Sequence, residues 1–389
     1  MARFYRYNEQ SIMSIRKAFF WLHLIIGCIA ALFIFLMSAT GALLTYERQI
    51  IHYAEKSDYP VAPTSNAKTL SLDQLIPIAN SFSHKKPLSI AIRNEQNAFV
   101  QVKEGRKTLA YLNPYTGEKM DEPGLATKTF MRKLRAFHRW LTLDGSFSET
   151  GRWVNGIANV IFFVLVLSGL YLWLPKRFNK RAFKQKLTFG KSYPNTNARD
   201  YQWHNVYGIY LAPVLAVVIA TAFFFSFKWP GNTLKEVVST QAKIEKLTAT
   251  PLTQGTAQSL EVLFKNAINQ TPDWQRAQFS LPKTTMDKLA FSLDTGTGGE
   301  PQKRLTVTVD TQTGAILQII TFDDLSTYRK ARSYIRFLHT GEAYGIIGQT
   351  IAGLASLLAC LLVYTGIMLS WRRWQNYRLR KAKLAVETA

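Results

Sequence analysis

Four stretches of this chain contain no Asp, Glu, Lys or Arg: Ala18–Tyr46, Trp153–Leu174, Trp203–Phe227 and Ala343–Trp371. Each reaches the roughly 20 apolar residues that cross a hydrocarbon core of about 30 Å. Inside such a core the backbone must satisfy its own N–H and C=O groups, which a single segment achieves only as a helix. The chain is therefore expected to be an α-helical membrane protein with a four-helix transmembrane bundle, set in a lipid bilayer.

Orientation follows from the cations. Residues 1–20 carry four Lys or Arg against Glu9, residues 175–203 carry eight against Asp200, and the tail carries six, from Arg372 to Lys383, against Glu387. Short segments rich in Lys and Arg stay on the cytoplasmic side. The expected order is a cytoplasmic N-terminus (1–17), helix one (18–46), an external region (47–127), an interfacial segment (128–152) and helix two (153–174). A cytoplasmic loop (175–202), helix three (203–227), a second external region (228–324), a second interfacial segment (325–342), helix four (343–371) and a cytoplasmic tail (372–389) complete it. A net charge of +23 would suit a nucleic-acid binder. Much of it sits beside membrane ends, where topology accounts for it, so nucleic acid is not an expected partner. A cleaved signal peptide over Ala18–Tyr46 would remove His23, but 29 uncharged residues exceed a signal h-region.

Two offsets show the sequence repeating itself. A shift of 197 matches Asn113–Gly117 to Asp310–Gly314, Arg132, Lys133, Arg135 and Arg139 to Arg329, Lys330, Arg332 and Arg336, Gly151 to Gly348, Leu165 to Leu362 and Gly169 to Gly366. A shift of 181 matches His23 to His204, Gly27 to Gly208, and Ala39-Thr40 to Ala220-Thr221. Coincidences accumulating at fixed offsets mark an internal duplication. Each half reads helix, external domain, helix, so both copies enter the membrane in the same direction as a parallel repeat.

Each external domain is expected to be α+β. Ser71–Phe82 has helical spacing, followed by short strands at Leu88–Ile92, Ala98–Lys103 and Thr108–Leu112. The second copy gives a helix at Ser259–Ile268 and strands at Gln278–Leu281, Lys288–Leu293 and Leu305–Val309. A glycine, Gly117 or Gly314, ends each following turn and suits a positive φ. The amphipathic segments Lys128–Leu143 and Leu325–His339 then lead back to the membrane.

Four of the six histidines fall at the ends of the apolar segments. His23 and His204 lie near the cytoplasmic ends of helices one and three, each followed at i+4 by a glycine, Gly27 or Gly208, on the same helical face. A flat macrocycle on the imidazole would meet no side chain there. His138 and His339 flank helices two and four on the outer side, one helical turn out of repeat register with each other. Two facing pairs point to two bis-histidine haems, whose filled axial positions favour electron transfer. Neither Cys28 nor Cys360 belongs to a CxxCH motif, so the haems are expected to be non-covalent, b-type, and thiol redox chemistry has no support. Zinc hydrolysis is disfavoured, since each pair supplies two nitrogens and no HExxH occurs; GxxxxGK[ST] and GxSxG motifs are also missing. The basic clusters beside the outer pair suit lipid phosphate, haem propionates or an anionic iron chelate. Eight of the tryptophans read as an aromatic belt. His52 and His84 read as surface residues.

Particular runs, Leu112-Asn113-Pro114-Tyr115-Thr116-Gly117-Glu118, Phe137-His138-Arg139-Trp140-Leu141, Ser168-Gly169-Leu170-Tyr171-Leu172-Trp173 and Phe337-Leu338-His339-Thr340-Gly341, resemble the PepSY-associated transmembrane family over nearly the whole chain. The resemblance implies a bacterial inner-membrane protein with two periplasmic PepSY-like domains, linked to iron uptake. It further implies a siderophore reductase that uses His23, His204, His138 and His339 as haem ligands and reduces a periplasmic ferric siderophore. About eighteen residues follow Trp371, so the electrons are expected from quinol or a separate cytoplasmic reductase. No catalytic side chain is assigned. Two other readings remain: a haem-free PepSY-type binding or regulatory protein acting on periplasmic peptidases or partners, and a transporter of an iron chelate. The uncharged spans leave the transporter little polar lining.

Overall fold

A long helix covers nearly all of each uncharged segment in the computed structural model, which describes residues 14–82, 87–142, 144–176, 178–281 and 284–387. His84, Arg177 and residues 1–13 of the expected cytoplasmic N-terminus lie outside these. The first half contains α1 (Ile15–Leu44), α2 (Glu47–Ser57), α3 (Leu72–Asn80), strands β1 (Leu88–Arg93), β2 (Val100–Glu104), β3 (Lys107–Leu112) and β4 (Lys119–Met120), then α4 (Leu125–Trp140) and α5 (Ser148–Trp173). The second contains α6 (Lys180–Leu187), α7 (Thr196–Ser226), α8 (Trp229–Val237), α9 (Leu260–Ile268), β5 (Arg276–Leu281), β6 (Lys288–Asp294), β7 (Arg304–Asp310), β8 (Ile316–Ile320), α10 (Thr327–His339) and α11 (Gly345–Glu387).

Contacts divide the chain into a helical unit (Met1–Thr45, Arg135–Phe227, Thr350–Ala389) and a sheet unit (Tyr46–Leu134, Lys228–Gln349). Four helical stretches, Ile15–Leu44, Ser148–Trp173, Thr196–Ser226 and Glu342–Glu387, are long and apolar enough to span a bilayer. The last exceeds expectation. Helix α11 has 43 residues, about 65 Å of helix, and carries straight on through the basic tail. Residues 372–389 contain neither Gly nor Pro and are rich in Ala, Leu, Lys and Arg, which favour helix. Glycine is required near the start of α5, where a Cβ on Gly151 would stand 1.7 Å from the Trp140 carbonyl oxygen. Its repeat partner Gly348 is in the same position against the Gly341 carbonyl, at 2.3 Å.

In the sheet unit both expected modules form, with each helix preceding its strands. Ser71 caps α3 in a capping box with Gln74, and Ser259 caps α9 by accepting from Val262 N. Gly117 and Gly314 have φ of +74° and +72°. Beyond expectation, the two modules share one sheet, antiparallel throughout, ordered β4-β3-β2-β1-β5-β6-β7-β8. Strands β1 and β5 pair from Leu88↔Leu281 to Arg93↔Arg276, so the strand edge each module would expose is closed by the other. One sheet face, including Ile90, Val102, Phe279 and Phe291, packs on Leu75 and Ala79 of α3 and Leu263, Phe264 and Ala267 of α9 in a single core.

The helices α3 and α9 also cap each other. Asp73 accepts from the backbone N–H of Leu260 (2.7 Å) and Glu261 (3.1 Å), while Glu261 accepts from Leu72 N–H (3.0 Å). Each carboxylate thus sits at the positive end of the other helix. Buried Glu55 of α2 binds Arg93 of β1 (3.0 Å) and Lys128 of α4 (2.9 Å), tying both helices to the sheet. Burial opposes the charge on Lys128, but Glu55 and Tyr111 more than offset it and hold the ammonium pKa above its usual value. Replacement Asp73→Ala is expected to speed amide hydrogen exchange in a peptide spanning 259–264 by about fivefold, the ~1 kcal/mol of a lost cap. Glu261→Ala should act in the same way on residues 71–76. Unchanged exchange at both helix starts would remove the reciprocal cap.

Candidate functional site

His23 of α1 and His204 of α7 face one another inside the helical unit, with ring centres 6.3 Å apart and planes at 86°. An imidazole in an apolar bundle needs a partner for each nitrogen. One is supplied by a hydroxyl on the neighbouring helix: His23 Nδ1 lies 2.9 Å from Ser168 Oγ of α5, and His204 Nδ1 lies 2.9 Å from Thr365 Oγ1 of α11. These hydroxyls spend their own protons inside their helices, Ser168 on the Val164 carbonyl (2.7 Å) and Thr365 on the Leu361 carbonyl (2.9 Å). They are thereby set to accept from Nδ1–H, and in that tautomer Nε2 carries the lone pair that ligates a metal.

The next residue in each case is a glycine. A Cβ on Gly169 would stand 3.3 Å from His23 Cε1, and one on Gly366 would stand 3.4 Å from His204 Cε1. A Ser-Gly or Thr-Gly step thus grips the ring by a hydroxyl and clears its edge with the missing side chain. His138, near the end of α4, is held in the same way: its Nδ1 is 2.8 Å from Thr40 Oγ1, whose proton goes to the Leu36 carbonyl (2.6 Å), and a Cβ on Gly41 would lie 3.4 Å from His138 Cε1. Asn155 donates to the His138 carbonyl at 2.9 Å. His339 closes α10 and belongs to the sheet unit.

Around His23 and His204 lies a cavity of about 1270 Å³ to which α1, α5, α7 and α11 all contribute, larger than the ~300–1,000 Å³ of most ligand pockets. Gly27, Gly208, Gly169 and Gly366 line it, and a Cβ on Gly208 would project into open space with nothing within 4 Å. The residues fit a flat metal macrocycle on three counts. Metal–nitrogen bonds of about 2.0 Å, plus roughly 1 Å from each nitrogen to its ring centre, separate two axial imidazoles by about 6 Å. Among the described residues no side-chain donor is paired with either Nε2. The glycines at i+4 leave the space beside each ring unfilled.

The basic clusters occupy the amphipathic helices α4 and α10. Arg139 stacks over Trp140 and Arg336 over Phe337, at 5.0 and 5.3 Å, while Lys330 donates to the Asp323 carbonyl at 2.8 Å. His52, expected at the surface, is half-buried and pairs with Glu95 at 3.0 Å; burial, then Arg93, pulls its pKa down. The expectation failed because its helix, α2, folds its charged residues against the sheet. Sequence reasoning matched Gly169 with Gly366 but assigned no role to the hydroxyls. The signal was present as Ser168-Gly169 and Thr365-Gly366 at one repeat offset, with a third such dipeptide, Thr40-Gly41, in α1.

Comparison with curated proteins finds no match. The family described as the PepSY-associated TM region matches residues 20–376, nearly the whole chain, and this protein belongs to that family.

Proposed function

We propose that this protein is a dihaem electron-transfer protein of a bacterial inner membrane that reduces a ferric siderophore on the periplasmic side. In this reading it is a parallel duplication with both termini and the loop 175–202 in the cytoplasm and the sheet unit in the periplasm, as the distribution of Lys and Arg favours. The observation that carries it is the His23–His204 pair, 6.3 Å between ring centres, with each Nδ1 against a hydroxyl of the neighbouring helix. Haem would supply one-electron chemistry, suited here to electron transfer. His23 and His204 would hold one b-type haem. For the second, the sequence assigns His138 and His339, and the support is on the His138 side, where Thr40 and Gly41 repeat the hydroxyl and glycine found at the first pair. The ferric chelate as substrate rests on the family resemblance, since hard-oxygen ligands hold ferrous iron far more weakly than ferric.

Ser168 and Thr365 would position the ligands and tune them. An acceptor at Nδ1–H makes the imidazole a stronger donor, which stabilises ferric iron and lowers the reduction potential.

Protein purified after haem-replete expression is expected to show haem absorption bands that sharpen with dithionite, at two haems per chain. A spectrum without bands would sink the reading and favour a haem-free binding protein. His204→Ala should keep one haem of the two. Gly208→Leu, which fills the open space without touching a ligand, should lower haem content in the same way. Ser168→Ala should retain haem but raise one midpoint potential by tens of millivolts, where ~59 mV is a tenfold change for one electron; Ser168→Thr should restore it. An unshifted potential in Ser168→Ala would show that the hydroxyl does not act on the ligand.

A further inference from the structure

The cavity around His23 and His204 is bordered by five cations, Arg16, Lys17, Lys176, Arg373 and Arg380, and by no carboxylate among the described residues. Arg16 is held between α1 and the end of α5, its guanidinium donating to the Leu172 and Leu174 carbonyls at 2.7 and 2.8 Å. Arg373 lies over the rings of Phe20 and Trp21 at 4.8 and 5.1 Å. Lys17, Lys176 and Arg380 make no ion pair among the described residues. The nearby acid Asp200 is fully buried and already committed to Arg372 (2.6 Å) and Arg199 (2.9 Å). Two haem propionates would neutralise two cations and leave an excess of three.

Arg373 and Arg380 belong to the part of α11 beyond Trp371. Residues 372–387 carry six Lys or Arg against Glu387 and are exposed along nearly their whole length. As a direct continuation of a membrane helix they extend about 24 Å past the end of the uncharged segment at Trp371, well beyond an interfacial layer of roughly 5–8 Å. Lipid phosphate therefore accounts for the first turn or two and leaves the remaining cations in water.

We propose that this basic collar, with the helical extension 372–387, is the docking surface for a small acidic protein that carries one electron at a time. The inference rests on the haem reading above and names the kind of donor. A quinol is a weaker fit, because each quinol releases two protons on oxidation and the cavity lining contains no carboxylate among the described residues to receive them. The acidic carrier loses one electron and no proton per encounter, and the ferric iron of the chelate gains that electron and becomes ferrous. Charge complementarity of this kind speeds encounter and makes it steeply dependent on salt.

The test is binding and reduction of the full-length protein in neutral-lipid nanodiscs, with a flavodoxin, a small acidic flavoprotein, as the probe. Binding of the oxidised probe is expected to weaken at least tenfold between about 20 and about 200 mM salt. The triple variant Arg378→Gln/Lys381→Gln/Lys383→Gln, on the extension and outside the cavity lining, should weaken it about tenfold at low salt while the haem spectrum stays unchanged. The reduced probe should reduce the wild-type haem faster than a short-chain quinol does. Wild-type affinity in the triple variant, no binding at low salt, abolition of binding by anionic lipid in the nanodisc, or faster reduction by the quinol would each overturn the proposal. Missing haem bands would instead overturn the function on which it rests, so the two failures are distinguishable.

Discussion

An imidazole inside an apolar bundle must have both nitrogens satisfied, at a cost of about 1–3 kcal/mol for each one left bare. Much of the helical unit answers to that requirement. Ser168, Thr365 and Thr40 each turn their proton back into their own helix and offer an oxygen to a histidine on another. The hydroxyls are set to take a proton from Nδ1, and both histidines line a cavity to which four helices contribute.

The same economy governs glycine. Gly169, Gly366 and Gly41 admit the edge of an imidazole, Gly208 leaves a void, and Gly151 and Gly348 let a preceding chain cross the start of a helix. None of these glycines has a positive φ, so their role is to remove volume, and a side chain at any of them would displace a neighbour or fill the cavity.

In the sheet unit, stability comes from joining what the repeat made twice. Each four-stranded module alone would be a small sheet with an open edge. Pairing β1 with β5 removes both inner edges and merges two hydrophobic faces into one core, while Asp73 and Glu261 exchange helix caps. These interactions are cooperative, because neither module can separate without exposing a strand edge and two helix ends together. Elsewhere in the helical unit Asp200 is neutralised between two arginines, and the collar cations have no carboxylate partner among the described residues.

Much of this was legible in the sequence. Uncharged length determined the four spanning helices, alternation and turn glycines determined the strands, and the repeat offset singled out His23 with His204, Gly27 with Gly208 and Gly169 with Gly366. The elements it missed, α2, α6, α8, β4, β8 and the extension of α11, are short or strongly charged. Only tertiary structure decided which residue touches which: that Ser168 and Thr365 take Nδ1, that β1 meets β5, and that Asp73 caps α9 from a position 187 residues away. Periodicity and composition report how a segment meets its solvent, whether lipid, water or core. A hydrogen bond between distant segments depends on two backbones arriving at the same place, and no local pattern in either one records that.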